Sequence, residues 1–236
     1  MPVSSAIAAT LMMSHVQPQS LCGQDDRVRT QHAPVGVVFD PTSGSTNYCT
    51  LTMVSDSCAV TAGHCLHVLG EARFFVDAQY NKPFLVEEFV YKIDKNWTRA
   101  LQSRIGNDWA VVRLKPNPIS GLLAGKVHGF VEPDLSLGSL TNAGLQATAV
   151  QRSGAESFVQ WKAQGQVLWS DASIVYHDLD TTAGSSGALL IDSATGRGVG
   201  IHTHGGCDTM KNNKGTLISE VPNLVRAINS CRNAER

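Results

Sequence analysis

The sequence predicts an all-β chain of antiparallel strands, arranged as a sandwich or as barrels. Three observations carry that expectation. Short apolar runs recur along the chain, clusters of Gly, Pro, Asn and Ser separate them, and helical periodicity is weak until the end. The runs are VGVVF (35–39), LTMV (51–54), CAVTA (58–62), RFFVD (73–77), FLVEEFVYKI (84–93) and WAVVRL (109–114), then LQATAVQ (145–151), ASIVYHDL (172–179), ALLID (188–192), GVGIH (198–202) and TLISEV (216–221). They are rich in Val, Ile, Leu and Thr, which suits a pleated surface. One helix is expected, where Pro222 opens VPNLVRAINSCR. There Val221, Leu224, Val225 and Ile228 fall at helical intervals, and proline sits in a first turn that needs no N–H. KPNPISGLLAG (115–125) interrupts the strand signals with two prolines and two glycines. It is a linker between two β-domains or a long loop within one sandwich.

A chain of 236 residues buries a full core, as one large domain or two small ones. Lys+Arg 19 against Asp+Glu 20 gives a net charge of −1 and no basic stripe, so nucleic acid is not an expected partner. No apolar run reaches the roughly 18–20 residues of a membrane-spanning helix. The six cysteines form no C-x-x-C pair, which argues against a zinc or redox motif. Their even number and scattered spacing fit disulfides, hence an oxidising, extracytoplasmic setting. At the N-terminus AIAATLMM (6–13) is a short apolar run like the core of a secretory signal, but no Lys or Arg precedes Arg27. A flexible leader and a truncated signal are the two readings of this stretch.

The candidate chemistry begins at TAGHC (61–65). Taken alone, His64 is an ordinary buried histidine. Nucleophilic hydrolysis needs a hydroxyl, a base within hydrogen-bond reach, and a carboxylate that fixes the base's tautomer. The chain offers one of each at a strand edge: His64, Asp108 in GNDWAVVRL, and Ser186 in TTAGSSGALL. Gly184 and Gly187 flank Ser186. An oxyanion hole needs backbone N–H groups converging from a tight loop, and glycine adopts the torsions this demands while leaving room for a substrate carbonyl. The N–H groups of Gly184 and Ser186 are the candidate donors. A loop reading G-S-S-G is by itself only a flexible turn.

With these residues in place the chain resembles the chymotrypsin-type (trypsin-like) serine endopeptidases. YCTLTMVSDSCAVTAGHC (48–65) matches the block that leads to their histidine, with one Cys fifteen residues before it and another just after. The order His, Asp, Ser is also theirs. The resemblance runs from about Asp25 to the C-terminal helix. It implies two six-stranded antiparallel β-barrels with a C-terminal helix: a leader at 1–24, a barrel over 25–118 carrying His64 and Asp108, and a barrel over 119–236 carrying Ser186. It further implies a Cys49–Cys65 disulfide, His64 as general base, Asp108 as its orienting carboxylate, Ser186 as nucleophile, no cofactor, and a secreted monomer acting on proteins or peptides. Within the family, GQDDRV (23–28), YHDLDTTAGSSGALL (176–190) and GVGIHTHGG (198–206) look most like bacterial V8-like glutamyl endopeptidases. Ser185 stands where animal trypsins carry an Asp that pairs with a new N-terminus, so their route of activation should not operate. In bacterial relatives a prosegment often ends just before a segment like GQDDRV, which places cleavage near Cys22 to Gln24.

The same resemblance frames specificity. His202 matches the histidine that binds a substrate carboxylate in glutamyl endopeptidases, and Thr181 matches a pocket threonine beside it; Thr203 and Gly205 complete the candidate substrate-binding set. An imidazole with hydroxyls can hydrogen-bond a buried carboxylate. Asp180, six residues before Ser186, matches the acidic pocket base of trypsins. It either recruits Arg or Lys or turns away to accept backbone hydrogen bonds. Glu or Asp before the scissile bond is the expected preference, with Arg/Lys as the alternative.

The remaining features are set aside. The pairs His64/His67 and His202/His204 have no third ligand cluster nearby, so no metal is expected. His204 lines the cleft or faces solvent. Cys207 could pair with Cys231, which leaves Cys22 and Cys58, though other connectivities and free thiols stay open. Asn96-Trp97-Thr98 is a glycosylation sequon that a bacterial protein usually leaves bare, and Trp109 is expected to pack in the first barrel. The rival to an enzyme is a non-catalytic binding module on the same fold. Such relatives usually lack the nucleophile or the base, and here all three positions are filled.

Overall fold

The computed structural model describes residues 20–40, 42, 47–74, 83–93, 106–136, 140, 142–153 and 158–235. The apolar run at 6–13, positions 75–77 and the sequon at 96–98 lie outside them. The chain folds as two antiparallel six-stranded β-barrels and a C-terminal helix. After β1 (Val28–Thr30), the first barrel consists of β2 (Val35–Phe39), β3 (Cys49–Met53), β4 (Cys58–Thr61), β5 (Glu71–Phe74), β6 (Phe84–Lys92) and β7 (Trp109–Leu114), closed in the order β2-β3-β4-β7-β6-β5. The second consists of β8 (Gly144–Arg152), β9 (Phe158–Asp171), β10 (Ile174–His177), β11 (Leu189–Asp192), β12 (Gly198–His204) and β13 (Asn213–Leu217). It runs β9-β10-β13-β12-β11-β8 and closes through a β8–β9 pairing. Closure removes the unpaired edges that an open sheet would leave. Among the described residues the α-helices are α1 (Ala124–His128), α2 (Cys207–Met210) and α3 (Pro222–Asn233).

Inside the first barrel, Val38, Leu51, Met53, Ala59, Val112 and Leu114 form one buried cluster. A second cluster spans the seam between the barrels. Val54, Val60, Trp109 and Val111 of the first meet Leu189, Ile191, Ile201 and Ile218 of the second, and Leu224, Ala227 and Ile228 of α3 cover them. The terminal helix therefore seals both barrels. The linker is ordered locally: Asn117 is buried and its Oδ1 accepts the N–H groups of Ile119 at 2.9 Å and Ser120 at 3.1 Å, after which α1 begins.

Three features go beyond what the sequence specifies. First, the described fold reaches back to Ser20, which is fully buried and bridges to Thr181. Second, Val28–Thr30 pair with Gln160–Lys162 of β9, a strand of the second barrel. Third, Cys231 pairs with Cys58 and Cys207 with Cys22, because α3 ends over the start of β4 while the N-terminal segment crosses the second barrel beside α2. Cys49 pairs with Cys65, and no cysteine is free.

Ile228 is fully buried in the seam cluster. Ile228→Ala should cost about 2–5 kcal/mol of stability, the usual toll of an aliphatic cavity. Urea unfolding followed by fluorescence measures it, and a loss under about 0.5 kcal/mol contradicts the seam role given to α3.

Candidate active site

His64 sits in a short 3-10 turn, Gly63–Val68, that follows β4 directly. The Cys49–Cys65 disulfide ties this turn back to the start of β3. Asp108 immediately precedes β7, the strand paired with β4, so Thr61↔Ala110 register brings the two residues together. The Asp108 carboxylate is only 3% exposed and holds His64 twice. One oxygen accepts the His64 backbone N–H at 2.7 Å, and the other lies 2.7 Å from ring Nδ1. A neutral imidazole donating Nδ1–H to this carboxylate keeps Nε2 as the basic nitrogen. Thr216 Oγ1 of β13 donates to the Asp108 carbonyl at 3.1 Å, a bond across the barrels.

Ser186 reaches the same seam from the second barrel. Gly184 and Gly187, on either side of it, have φ of +91° and +88°, where residues with a side chain are strained. Space demands glycine as well. A Cβ on Gly187 would lie 2.1 Å from Thr61 Oγ1 and 3.0 Å from Ala62 N, and one on Gly184 would lie 2.2 Å from the Tyr48 ring. Thus the residue next to Ser186 packs against the turn that carries His64. Ser185 Oγ accepts the Thr182 N–H at 3.0 Å, closing the loop on itself.

The specificity candidates divide. Asp180, Thr181 and His202 line one cavity of the second barrel, together with Ser185, His177 and Arg27. Thr203 and Gly205 lie outside that lining. The Thr203 hydroxyl donates to the Lys214 carbonyl at 3.5 Å and stands 2.9 Å from His204 Nδ1. Asp180 is 6% exposed, and both its oxygens are taken by the N-terminal segment: Cys22 N–H at 2.6 Å and Asp26 N–H at 3.2 Å. The same segment pairs Ser20 with Thr181 through two backbone bonds of 3.1 Å.

One residue beside the site, His177, carried no signal in the sequence. His177 Nε2 lies 3.2 Å from His202 Nδ1, and both rings are fully buried. Burial, reinforced by the nearby Lys214 ammonium, pushes His177 down to about 3. Burial first, then His177, His204 and His64, holds His202 well below the ordinary histidine value. Among the described residues, buried His177 Nδ1 has no hydrogen-bond partner. A bare acceptor there costs less than an orphaned N–H. The favoured tautomer therefore has His177 Nε2–H donating to His202 Nδ1, which puts the proton of His202 on Nε2. His204, expected to line the cleft or face solvent, has its Nδ1 3.8 Å from Asp108 Oδ2, and its ring meets that of His64 edge-on at 6.1 Å.

Two closed barrels with these groups at their seam define the chymotrypsin class of fold. The Trypsin family model matches residues 22–228, and the chain belongs to that family. It is 24% identical over 221 residues to the glutamyl endopeptidase of Bacillus licheniformis, covering 86% of this chain and 66% of that protein, just under two thirds of its length. A solved Glu endopeptidase in complex with MPD superposes with a TM-score of 0.69 at 19% identity, over 89% of this chain and 98% of the other. An inactivated protease paralogue of the scabies mite superposes at 0.63 with 14% identity, over 86% and 98%. The fold is therefore shared by an inactivated protein, and activity has to be argued from residues.

The buried His177 ties stability to pH. Its folded value near 3 lies below the ordinary 6.5, so its neutral form favours the fold fully above pH 6.5. That contribution is lost as pH falls toward 3, at up to about 1.4 kcal/mol per pH unit. His177→Gln should flatten the decline of unfolding free energy between pH 6.5 and 4, measured in denaturant at stepped pH. An unchanged slope rules out His177 as its source.

Proposed function

We propose that the protein is a secreted serine endopeptidase that cleaves peptide bonds through an acyl-enzyme, with preference for Glu or Asp before the scissile bond. The double hold of Asp108 on His64 is the observation that carries the reading. A carboxylate that grips both the backbone and the ring is suited to fix the tautomer and stabilise the imidazolium that forms during proton transfer. Ser186 Oγ attacks the peptide carbonyl while His64 Nε2 takes its proton. The N–H groups of Gly184 and Ser186 receive the oxyanion, His64 passes the proton to the leaving amine, and water then releases the acyl group from Ser186. Three disulfides support an oxidising, extracytoplasmic location, and no helix among the described residues is long and apolar enough to cross a membrane.

Specificity for an acidic side chain is supported by the fate of Asp180. Its oxygens are engaged by backbone N–H groups, as a buried carboxylate requires, and this leaves it a structural post rather than a receptor for Arg or Lys. His202 Nε2–H, backed by His177, offers a donor to a carboxylate, with Thr181 beside it. Because the histidine pair is neutral in the free protein, seating a negative charge against it draws in a proton.

Two measurements test this. Wild-type protein should label with a fluorophosphonate probe and Ser186→Ala should not; equal labelling of both would contradict the nucleophile. Among paired peptides, Glu should outpace Arg at the same position. The Glu-to-Gln ratio of kcat/KM should fall as pH rises from 6 to 9, since proton uptake accompanies only the charged side chain. Faster turnover of the Arg peptide overturns the specificity, and a Glu-to-Gln ratio independent of pH overturns the proton uptake.

A further inference from the structure

Strand β3 and the residue that leads into it meet the Ser186 loop with an unusual density of hydrogen bonds. Thr50 is fully buried and uses every polar group it has. Its N–H donates to the Ser186 carbonyl at 2.9 Å, its hydroxyl donates to the Gly184 carbonyl at 2.6 Å and accepts the Val150 N–H at 2.9 Å, and its carbonyl accepts the Thr61 hydroxyl at 2.7 Å. Two residues earlier, Tyr48 OH donates to the Ala183 carbonyl at 3.3 Å and accepts the Arg152 N–H at 2.9 Å.

Peptide planes explain why this matters. Ser185 N–H is bound to Thr182 O at 2.9 Å and Gly187 N–H to His202 O at 2.9 Å. The 184–185 and 186–187 peptides are therefore each held at both ends, with Thr50 supplying one end of each. The peptide between them carries the N–H of Ser186. The 183–184 peptide carries the N–H of Gly184, and in a trans peptide that N–H points away from the carbonyl held by Tyr48. Glycine at 184 could otherwise rotate this peptide with little steric cost.

We propose that Thr50 and Tyr48 are positioning residues of the first barrel that hold the oxyanion loop of the second in its productive orientation. The proposal rests on the hydrolytic reading above. The two side chains touch carbonyls of the loop and leave the chemistry to His64 and Ser186. Through Thr61, Thr50 also joins the loop to the turn of His64. A pre-oriented donor acts on the transition state and not on bound substrate, so its loss lowers kcat and spares KM.

The test compares Thr50→Val, which keeps shape and the backbone N–H but deletes the hydroxyl, with Thr50→Ser and Tyr48→Phe, in the full chain. Losing an oxyanion donor outright costs about 100- to 1,000-fold in kcat, so misorienting one should cost Thr50→Val about ten-fold or more, with KM within about two-fold. Fluorophosphonate inactivation should slow in parallel, Thr50→Ser should recover most of the loss, and Tyr48→Phe should fall in between. Should Thr50→Val fail to fold, Tyr48→Phe against wild type decides, since its ring still covers Gly184. A kcat within two-fold of wild type in the folded variants overturns the proposal, as does an equal loss in Thr50→Ser and Thr50→Val. Wild-type protein that does not label at all ends the hydrolytic reading itself, and this inference with it.

Discussion

The contact between the 184–187 loop and the β3–β4 hairpin is the constraint on which the rest of the molecule depends. Two positive-φ glycines let the loop press so close that a single methyl group would collide with Thr61 or with Tyr48. Hydrogen bonds then register one barrel on the other, where apolar packing alone would let them slide: burial is proportional to area, but a 2.6 Å bond has direction. The apolar seam under α3 supplies adhesion and the polar seam supplies alignment. Asp108, gripping His64 from one side and receiving Thr216 from the other, belongs to the same design.

A second constraint acts at the far end of the cleft. The N-terminal segment threads beside Thr181, is pinned by Cys22–Cys207, and delivers two N–H groups to Asp180. A residue that would otherwise set a field for cations is spent on structure. In the proposed function the carboxylate-binding role falls to His202, whose ring lies 3.2 Å from that of His177. Both rings are neutral because burial penalises their charged forms, so the pocket carries its charge only when a ligand brings the opposite one.

Much of this was legible in the sequence, for physical reasons. Strands such as WAVVRL are buried along almost their whole length, so their apolar runs are continuous and their bounds match closely. The strand β9 escaped notice because only Gln160, Ala163 and Val167 are buried in its 14 residues; strands on both flanks satisfy its backbone while its side chains stay half-exposed. β1 is too short and too polar to stand out, and pairs only because β9 offers an edge. Cysteine partners depend on where α3 and the N-terminal segment land in space, which spacing along the chain does not encode. The Asp108 and His64 settings were visible because each sits at the mouth of an apolar strand. Thr50, Tyr48 and His177 were not, since a threonine, a tyrosine and a histidine inside strand sequences look like ordinary packing until the opposite barrel is placed against them.

The most direct examination of the central claim is a crystal structure of the protein after reaction with a peptidyl phosphonate carrying a glutamyl side chain. Phosphorus should be bonded to Ser186 Oγ, with its oxygen facing the N–H groups of Gly184 and Ser186, His64 Nε2 beside the serine, and the glutamyl carboxylate against His202. Phosphorus on any other side chain, or an oxygen turned away from those two N–H groups, would contradict the account.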